Sequence, residues 1–442
     1  MPKISSKLLR YIAAAAILIF FFQYTQVNRI PGNNDKHVEQ LEKQRPNLQL
    51  ENDVAEQQKK ISYVKANATF ISLARNRDLY NLVNSIRLIE DRFNHQFHYD
   101  WVFLNDEDFT PEFIEVTTNF VSGKTHYGKI PKEHWSIPSS IDLNKAKTSW
   151  EQMQDQGVLY GGSESYRHMC RYESGFFWRH PILDQFKYYW RIEPDVTFYC
   201  DIPYDVFQFM TDNKYAYGFT TSLHEYPATI KTLWNTTREF IGKHPEYLAK
   251  NNMLEFVSWD FGENYNYCHF WSNFEIGDMD FWRSEAYRKY FEYLDNSGGF
   301  FYERWGDAPV HSIAAALFLN KSQIHHFDDI GYKHMPFVSC PTDPEIHKKR
   351  NCGCNPEENF TWKRFSCTSD FYLMQEKPIP AQSWLHRKKV VGEALRTGGK
   401  QLSPEREKEV VDQSNKELLD YYRTHKELPP EMKPKLSGLA LD

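Results

Sequence analysis

The chain has 442 residues, enough for one large or two moderate domains with a buried core. Its 53 Lys and Arg stand against 59 Asp and Glu, and the net charge of -6 argues against a nucleic-acid binder, whose surface must neutralise phosphates. Aromatic residues make up 16% of the chain, and because Tyr and Trp faces are common platforms for sugar rings, the composition favours such a ligand.

The N-terminus predicts a membrane anchor. Lys3, Lys7 and Arg10 precede a wholly apolar run at 12–22, which ends in Phe residues rather than in the small residues of a cleavage site. We therefore expect a cytosolic tail at 1–10, a signal-anchor at 11–27 and a polar stem at 28–60. Basic residues before the anchor place everything after it in the lumen. The alternative is a cleaved signal peptide and a soluble secreted enzyme.

Two features agree with a lumenal location. Acceptor sequons for N-glycosylation occur at Asn67, Asn235, Asn320 and Asn359. Seven cysteines suit a large domain in an oxidising compartment, with at least one left unpaired, and a zinc site at Cys-Gly-Cys has the wrong ligand spacing. The cysteines are Cys170, Cys200, Cys268, Cys340, Cys352, Cys354 and Cys367.

The folded part begins after the stem as alternating strands and helices. Strands are predicted at 68–74 and 99–105, each followed by a helix with apolar residues at helical spacing, at 79–92 and 111–120. This order predicts an α/β fold, a mostly parallel sheet covered by helices on both faces. The Pro- and Gly-containing stretch 123–149 is expected to be loop-rich.

The stretch from Tyr188 to Asp201 predicts a metal site. Aromatic and β-branched residues indicate a buried strand that runs out into Glu193, Pro194 and Asp195. Pro194 ends the strand, and ligands of open α/β sheets collect beyond the carboxyl ends of the strands. The alternative is a capped strand with two solvated acids.

A helix that begins near Ser163 or Ser165 carries two basic residues. Arg167 and Arg171 are four residues apart on one face, so both guanidinium groups could reach one diphosphate. The alternative is a surface helix with two solvated arginines.

Glu275 is a second unusual carboxylate, because it lies between Phe274 and Ile276 and buried acids are rare unless paired or functional. His311 falls in an apolar helix and is interpreted as a core residue. His334 follows in a loop, where it can be presented to a ligand.

A charged helix is predicted from the Ser403 N-cap to about residue 424. The predicted division is therefore a catalytic domain at 61–400 and a helical C-terminal extension at 401–442.

Four motifs together resemble one family. They read Y-G-G-S-x-S-Y-R-x-M-C-R-Y-x-S-G-F-F, Y-W-R-I-E-P-D-V, N-F-E-I-G-D-M-D-F-W-R and R-W-G-D-A-P-V-H-S. In this order they resemble the fungal Golgi α-1,2-mannosyltransferases of glycosyltransferase family 15. The resemblance implies a GT-A-like domain, a type II Golgi membrane protein, GDP-mannose as donor, Mn²⁺ as cofactor, and retained configuration at the transferred mannose. It implies mannose-terminated N- or O-linked glycans of glycoproteins as acceptors.

The resemblance also assigns roles to residues. It places the metal site on Glu193, Asp195 and His334, and the candidate nucleophile on Glu275. It places acceptor contacts on Tyr166 and Asp307, and a nucleotide contact on Arg75. Such an enzyme could form a covalent mannosyl-enzyme or use same-face attack, and the sequence leaves both open. Two further functions remain as alternatives, a metal-dependent sugar-nucleotide hydrolase and a non-catalytic mannan-binding membrane protein.

Overall fold

The computed structural model describes residues 65–433. The predicted tail, the anchor at 11–27 and the stem at 28–60 lie outside these residues. Among the helices of residues 65–433, none combines the length and the apolar character that crossing a membrane requires.

A seven-stranded sheet forms the centre of the described chain. Its order is β10-β6-β9-β4-β1-β2-β3, and only β9 runs antiparallel to its neighbours, so the predicted mostly parallel sheet is confirmed. The strands are β1 Ala68–Leu73, β2 Asp100–Asn105, β3 Thr125–Lys129, β4 Tyr188–Arg191, β6 Tyr217–Phe219, β9 Glu275–Asp278 and β10 Ile324–His326. A three-stranded sheet holds β5 Thr197–Phe198, β11 Tyr332–His334 and β12 Phe337–Ser339, and a hairpin-like pair holds β7 Ser222–His224 and β8 Cys268–Phe270.

Helices surround the sheet. They are α1 Leu79–Ile89, α2 His95–Phe97, α3 Pro111–Phe120, α4 Leu143–Asp155, α5 Glu164–Gly175, α6 Val206–Asp212, α7 Leu233–Lys243, α8 Leu254–Val257, α9 Met279–Arg283, α10 Glu285–Ser297, α11 Gly299–Tyr302, α12 Asp307–Phe318, α13 Pro344–Lys349, α14 Thr368–Met374, α15 Trp384–Arg396 and α16 Pro404–His425. Between α1 and α2 the chain adds a π-helical turn at Glu90–Asn94.

Both faces of the sheet are buried, which explains why its strands read as continuous apolar runs. Phe70 and Trp190 point to one core, whereas Ile71 and Tyr189 point to the other, because side chains alternate along a strand. On the first face Phe70 stacks on Trp101 with ring centroids 4.6 Å apart. The sheet is therefore fixed from both sides, and its strand ends hold their positions.

Two disulfides link segments between strands of the sheet to the chain that follows it, and a third lies within that following chain. Cys200 pairs with Cys352, Cys268 with Cys367, and Cys340 with Cys354, while Cys170 is free and buried. The seven cysteines, all within residues 65–433, therefore form three pairs and leave one unpaired, as their odd number predicts.

Two predictions about local structure are wrong. The stretch 123–149 contains β3 and the start of α4, because alternating residues of β3 pair with β2 despite the nearby Gly and Pro. The apolar spacing of 282–294 also predicts one amphipathic helix, but α9 ends at Arg283 and α10 begins at Glu285, since Ser284 adopts extended ψ and caps α10 through its hydroxyl.

The C-terminal charged helix begins at Ser403, as predicted, with the Ser403 hydroxyl accepting from the Arg406 amide. Leu418 and Tyr422 of this helix are buried in the same core as the sheet. The boundary at 400 stays a prediction.

Candidate active site

A cleft of about 1020 Å³ opens where the parallel strands end. The carboxyl ends of β1, β2 and β4 contribute Arg75, Asn105 and Glu193, and the start of α12 contributes Asp307. His334, at the end of β11, also lines the cleft. This is the edge at which open α/β sheets bind ligands.

Glu193 and His334 line the cleft and lie close enough together to bind one cation. The Glu193 Oε2 and His334 Nε2 atoms are 3.8 Å apart, and both side chains are about 30% exposed. The other ring nitrogen, Nδ1, lies 3.0 Å from the Met335 carbonyl, which orients the imidazole. A carboxylate oxygen and an imidazole nitrogen at this separation fit Mn²⁺, whose remaining ligands would come from phosphate oxygens and water.

Asp195 does not join this pair. It is exposed, does not line the cleft, and accepts a hydrogen bond from Asn81 Nδ2 at 3.0 Å. The Asp195 backbone adopts φ +63°, which turns the side chain away from Glu193 after the intervening proline. In this geometry His334 lies beside Glu193 and Asp195 does not, and the metal site on Glu193, Asp195 and His334 stays a prediction.

Arg191 contacts Glu193 and Asp307 at the same time. Its guanidinium donates to Asp307 Oδ2 at 2.6 Å, contacts Glu193 closely, and lies 4.0 Å from Glu173. Burial alone would lower the pKa of Arg191, but the three carboxylates outweigh it and raise the pKa well above its usual value. Burial raises the pKa of Glu173 to about 7 despite the nearby Arg191. The arginine is thus a permanent cation among three acids.

Asp307 is the first residue of α12 and is 5% exposed. Its Oδ2 also accepts from the Ser272 hydroxyl at 2.7 Å. Burial would raise the pKa of Asp307, but Arg191 and His311 outweigh burial and lower the pKa below its usual value. The carboxylate is therefore ionised and can accept a hydrogen bond from a bound hydroxyl.

Tyr166 lines the cleft together with Asp307, and the acceptor role of both residues stays a prediction. Its ring stacks on Tyr160 with centroids 4.6 Å apart, and the Arg304 guanidinium lies 5.2 Å from the ring centroid. Burial raises the pKa of the Tyr166 phenol, which stays neutral and can donate. Arg304 in turn faces Glu225 at 3.9 Å.

Glu275 does not line the cleft. It is 1% exposed, and its carboxylate accepts from the hydroxyls of Tyr189 and Tyr217 and contacts His311 Nδ1 at 2.8 Å. His311 Nε2 lies 3.1 Å from the Glu173 carbonyl, so this histidine is the core residue expected from sequence. Burial would lower the pKa of His311, but the neighbouring Glu275 and Asp307 raise it. The candidate nucleophile is thus held beneath the cleft by three hydrogen-bonding partners.

The predicted arginines divide into two groups. Arg75 lines the cleft and donates to the Ser165 hydroxyl at 2.9 Å, so it is available to a nucleotide. Arg167 is fully buried, donates to the Glu303 and Ser163 carbonyls, and lies over the Trp150 ring.

Arg171 is engaged in the same way. It makes two hydrogen bonds to Asp295, at 2.6 and 2.8 Å, and neither Arg167 nor Arg171 lines the cleft. The predicted shared diphosphate contact is wrong because both arginines face the packed side of α5 rather than the ligand.

Sequence reasoning missed Arg191, Glu225, Ser272 and Arg304 as cleft residues. Glu225 could have been found, because it follows β7 as Glu193 follows β4, and a carboxylate at a strand end was the signal used there. Arg191 and Ser272 carry no such signal, since their role depends on contacts between distant segments.

The chain matches the family model described as "Glycolipid 2-alpha-mannosyltransferase" over residues 23–376. It is 63% identical over 310 residues to glycolipid 2-alpha-mannosyltransferase 1 of Candida albicans, covering 70% of this chain and 72% of that relative. It is 61% identical over 314 residues to the alpha-1,2 mannosyltransferase KTR1 of Saccharomyces cerevisiae, covering 71% and 80%. The chain belongs to the glycolipid 2-alpha-mannosyltransferase family.

Solved structures of this family share the fold. The mannosyltransferase Ktr4p from S. cerevisiae in complex with GDP matches with a TM-score of 0.65 and 44% identity, covering 67% of this chain and 78% of that one. Core-mannan synthase A from Aspergillus fumigatus, in its Mn/GDP form, matches with a TM-score of 0.64 and 43% identity, covering 67% and 81%. The predicted family, the GT-A-like α/β fold and the class of enzyme, a GDP-mannose-dependent mannosyltransferase, are confirmed.

Proposed function

We propose that this chain transfers mannose from GDP-mannose to the 2-hydroxyl of a terminal mannose on N- or O-linked glycans of glycoproteins, with retained configuration and with Mn²⁺ bound by Glu193 and His334. The observation that carries the proposal is the placement of this pair and of Asp307 in one cleft, joined through Arg191. The family relationship supplies the type of donor and linkage.

The groups on either side of Arg191 suit the two halves of the reaction. Bound Mn²⁺ would neutralise the negative charge that develops on the departing diphosphate, so no protonated side chain is needed there. Arg75, at the end of β1, offers a guanidinium to the nucleotide. On the other side of the Arg191 guanidinium, the ionised Asp307 accepts a hydrogen bond from an acceptor hydroxyl and orients it.

The burial of Glu275 favours same-face attack over a covalent mannosyl-enzyme. Each oxygen of this carboxylate already accepts a hydrogen bond, and the side chain does not line the cleft. We infer that Glu275 acts as a positioning residue, which holds His311 and the two tyrosines beneath Asp307 and Arg191.

The rim of the cleft favours a transferase over a hydrolase. Leu159, Tyr160, Tyr226 and Met335 line the cleft and are each more than half exposed. Tyr160 has φ +57°, a conformation that costs free energy in a non-glycine residue. Aromatic faces at the mouth can stack on a sugar acceptor and displace water from the donor.

We further propose that the enzyme acts in the Golgi lumen as a type II membrane protein, anchored by 11–27. The three disulfides support an oxidising compartment. The basic residues before the apolar run support the orientation.

One assay tests the proposal against its alternatives. The detergent-purified full chain is incubated with GDP-mannose, Mn²⁺ and methyl α-mannoside, and the products are analysed by NMR. An α-1,2-linked disaccharide is expected. Release of free mannose at the same rate without acceptor would instead indicate a hydrolase, and sugar binding without turnover would indicate a non-catalytic protein.

A further inference from the structure

The paired strands β7 and β8 bring two polar side chains to the cleft that the proposed transfer step does not use. His269 of β8 lies opposite Leu223 of β7, and the Glu225 amide extends the pairing by donating to the Tyr267 carbonyl at 2.8 Å. His269, Glu225 and the neighbouring Tyr226 all line the cleft. We call these three residues the β7–β8 subsite.

The β7–β8 subsite adjoins the proposed acceptor carboxylate. Ser272, three residues after His269, donates to Asp307 Oδ2 at 2.7 Å, and three residues of extended chain span at most about 10 Å. On the other strand, Glu225 Oε2 lies 3.9 Å from the position that a Cβ atom would take on Gly306, the residue before Asp307. A group linked to a sugar at Asp307 can therefore reach the subsite.

His269 carries an acceptor nitrogen that faces the cleft without a partner. The residue is 3% exposed, and its Nδ1 lies 3.4 Å from the Tyr267 carbonyl, which can only accept, so Nδ1 holds the proton. Burial lowers the pKa of His269, so the ring is neutral and Nε2 is an acceptor. Within residues 65–433 this Nε2 makes no hydrogen bond, yet it retains contact with solvent, and the cleft is the space that His269 lines. Nε2 is therefore free to accept from a ligand in the cleft.

Glu225 offers a second acceptor. Its Oε1 accepts from the Tyr226 amide at 2.7 Å and lies 3.9 Å from Arg304 Nη2. Its Oε2 makes no hydrogen bond within the described part of the chain, and the side chain is 14% exposed. Because this carboxylate faces Arg304, the charge of the guanidinium is compensated, and the subsite favours a neutral ligand over an anion.

These groups suit a sugar ring. The two acceptors, His269 Nε2 and Glu225 Oε2, match hydroxyl donors, and Tyr226, which is 54% exposed, presents an aromatic face beside them. The cleft volume of about 1020 Å³ lies at the top of the roughly 300–1,000 Å³ range of ligand pockets. That volume suits a nucleotide sugar together with an acceptor of more than one ring.

We propose that the β7–β8 subsite binds the second sugar unit of a neutral oligosaccharide acceptor, whose hydroxyls donate to His269 Nε2 and Glu225 Oε2. The terminal sugar of the same acceptor lies at Asp307, where it is extended. The inference rests on the proposed function, because it assigns the subsite to the sugar next to the one that receives mannose. The subsite makes the enzyme prefer an acceptor of two sugars to an acceptor of one.

Three variants test the subsite. Glu225→Gln keeps the shape of the side chain and replaces one acceptor oxygen by a donor. His269→Asn retains a polar atom near the place of Nδ1 and removes Nε2, whereas His269→Gln retains a polar atom near the place of Nε2. Glu263→Gln, at an exposed carboxylate outside the cleft, is the matched control.

The detergent-purified full chain is assayed with methyl α-mannoside and with methyl α-1,2-mannobioside, and the readout is the ratio of kcat/KM for the bioside to kcat/KM for the mannoside. A general loss of folded enzyme lowers both values and cancels in this ratio. Glu225→Gln and His269→Asn are each expected to lower the ratio about fivefold, as one lost hydrogen bond would. His269→Gln should lower it less, and Glu263→Gln should leave it unchanged.

A ratio that is unchanged in both Glu225→Gln and His269→Asn would overturn the subsite, and with normal transfer it would leave the proposed function standing. Binding of the bioside without donor, followed by ligand-detected NMR, separates the two proposals in the opposite case. Weaker bioside binding by Glu225→Gln, in a chain that transfers no mannose, would support the subsite and refute the proposed function.

Discussion

Arg191 Nη1 lies 2.6 Å from Asp307 Oδ2, and this contact joins the end of β4 to the first turn of α12. Because Arg191 also contacts Glu193, one guanidinium fixes the distance between the proposed metal pair and the proposed acceptor carboxylate. The contact is buried on both sides, with each side chain 8% exposed.

Replacement of this guanidinium is therefore expected to harm both folding and turnover. Arg191→Met leaves buried carboxylates without their cation, which should lower the free energy of unfolding by about 3–5 kcal/mol. Loss of alignment should lower kcat about 100-fold. Thermal unfolding and steady-state kinetics measure the two effects. Arg238→Met, which breaks an exposed pair with Glu263, is the control and should change neither. Equal melting temperatures and equal kcat values for Arg191→Met and Arg238→Met would contradict the role assigned to Arg191.

The metal pair gives a second prediction. His334→Ala should raise the Mn²⁺ concentration for half-maximal activity by at least about tenfold, because it removes one of two protein ligands. Asp195→Asn should leave that concentration unchanged, since Asp195 faces Asn81. Manganese titrations of both variants test this. If Asp195→Asn raised this Mn²⁺ concentration strongly and His334→Ala did not, the result would indicate that Glu193 and Asp195 bind the metal.

The role of Glu275 can be tested by chemical rescue. Glu275→Ala should lower kcat, because Tyr189, Tyr217 and His311 lose their common partner. If Glu275 only positions these groups, added azide should yield no mannosyl azide. Formation of β-mannosyl azide, detected by mass spectrometry and NMR, would show that this carboxylate is the nucleophile. Glu275→Gln, which keeps the shape, should retain more activity than Glu275→Ala.

Asp370 predicts a pH dependence of stability. Burial raises the pKa of this carboxyl to about 8, with the Trp259 indole acting in the opposite direction. The unfolded chain releases this proton near its ordinary pKa of 3.8, so the folded state binds the extra proton between about pH 4 and 8. The stability contributed by the protonated group therefore falls as the pH rises through this range.

Asp370→Asn removes this titration. The melting temperature of the variant should exceed that of the wild type by a margin that widens from pH 5 to pH 8 and then stays constant. Asp420→Asn, on the exposed side of α16, is the control and should show no such margin. A margin that is the same at pH 5 and pH 8 would contradict the raised pKa.

The sequons predict the pattern of N-glycosylation. Asn67, Asn235 and Asn320 are exposed, whereas Asn359 is buried with its Oδ1 engaged. Enzyme from a eukaryotic secretory host should therefore carry glycans at the first three sites and an unmodified Asn359, as measured by peptide mass spectrometry after endoglycosidase treatment. A glycan on Asn359 would contradict the buried position. Absence of all glycans would contradict the lumenal orientation.

The sequence predicted the sheet and the strand-end carboxylate well, for physical reasons. A strand buried on both faces leaves a long apolar run, and Glu193 is conspicuous where such a run ends. Asp307 and Tyr166 were placed by motif resemblance, and both line the cleft.

Other features depended on information that local pattern does not contain. Arg167 and Arg171 share a helix face, but the sequence could not tell whether that face meets solvent or packed protein. Glu193 and Asp195 are two residues apart, yet the positive φ at Asp195 separates their side chains. Glu275 was correctly singled out as a buried acid, but its partners come from three distant elements.

The disulfides also determine when the fold can be completed during synthesis of the chain. Cys200, a few residues after Glu193, pairs with Cys352, and Cys268, just before the cleft segment at Ser272, pairs with Cys367. A growing chain cannot close the first link before residue 352 has left the ribosome, or the second before residue 367. Glu193 is therefore synthesised well before the cysteines that covalently fix the segments near it. A polypeptide that ended before these cysteines would contain Glu193 but would lack the disulfides that hold the cleft segments in place.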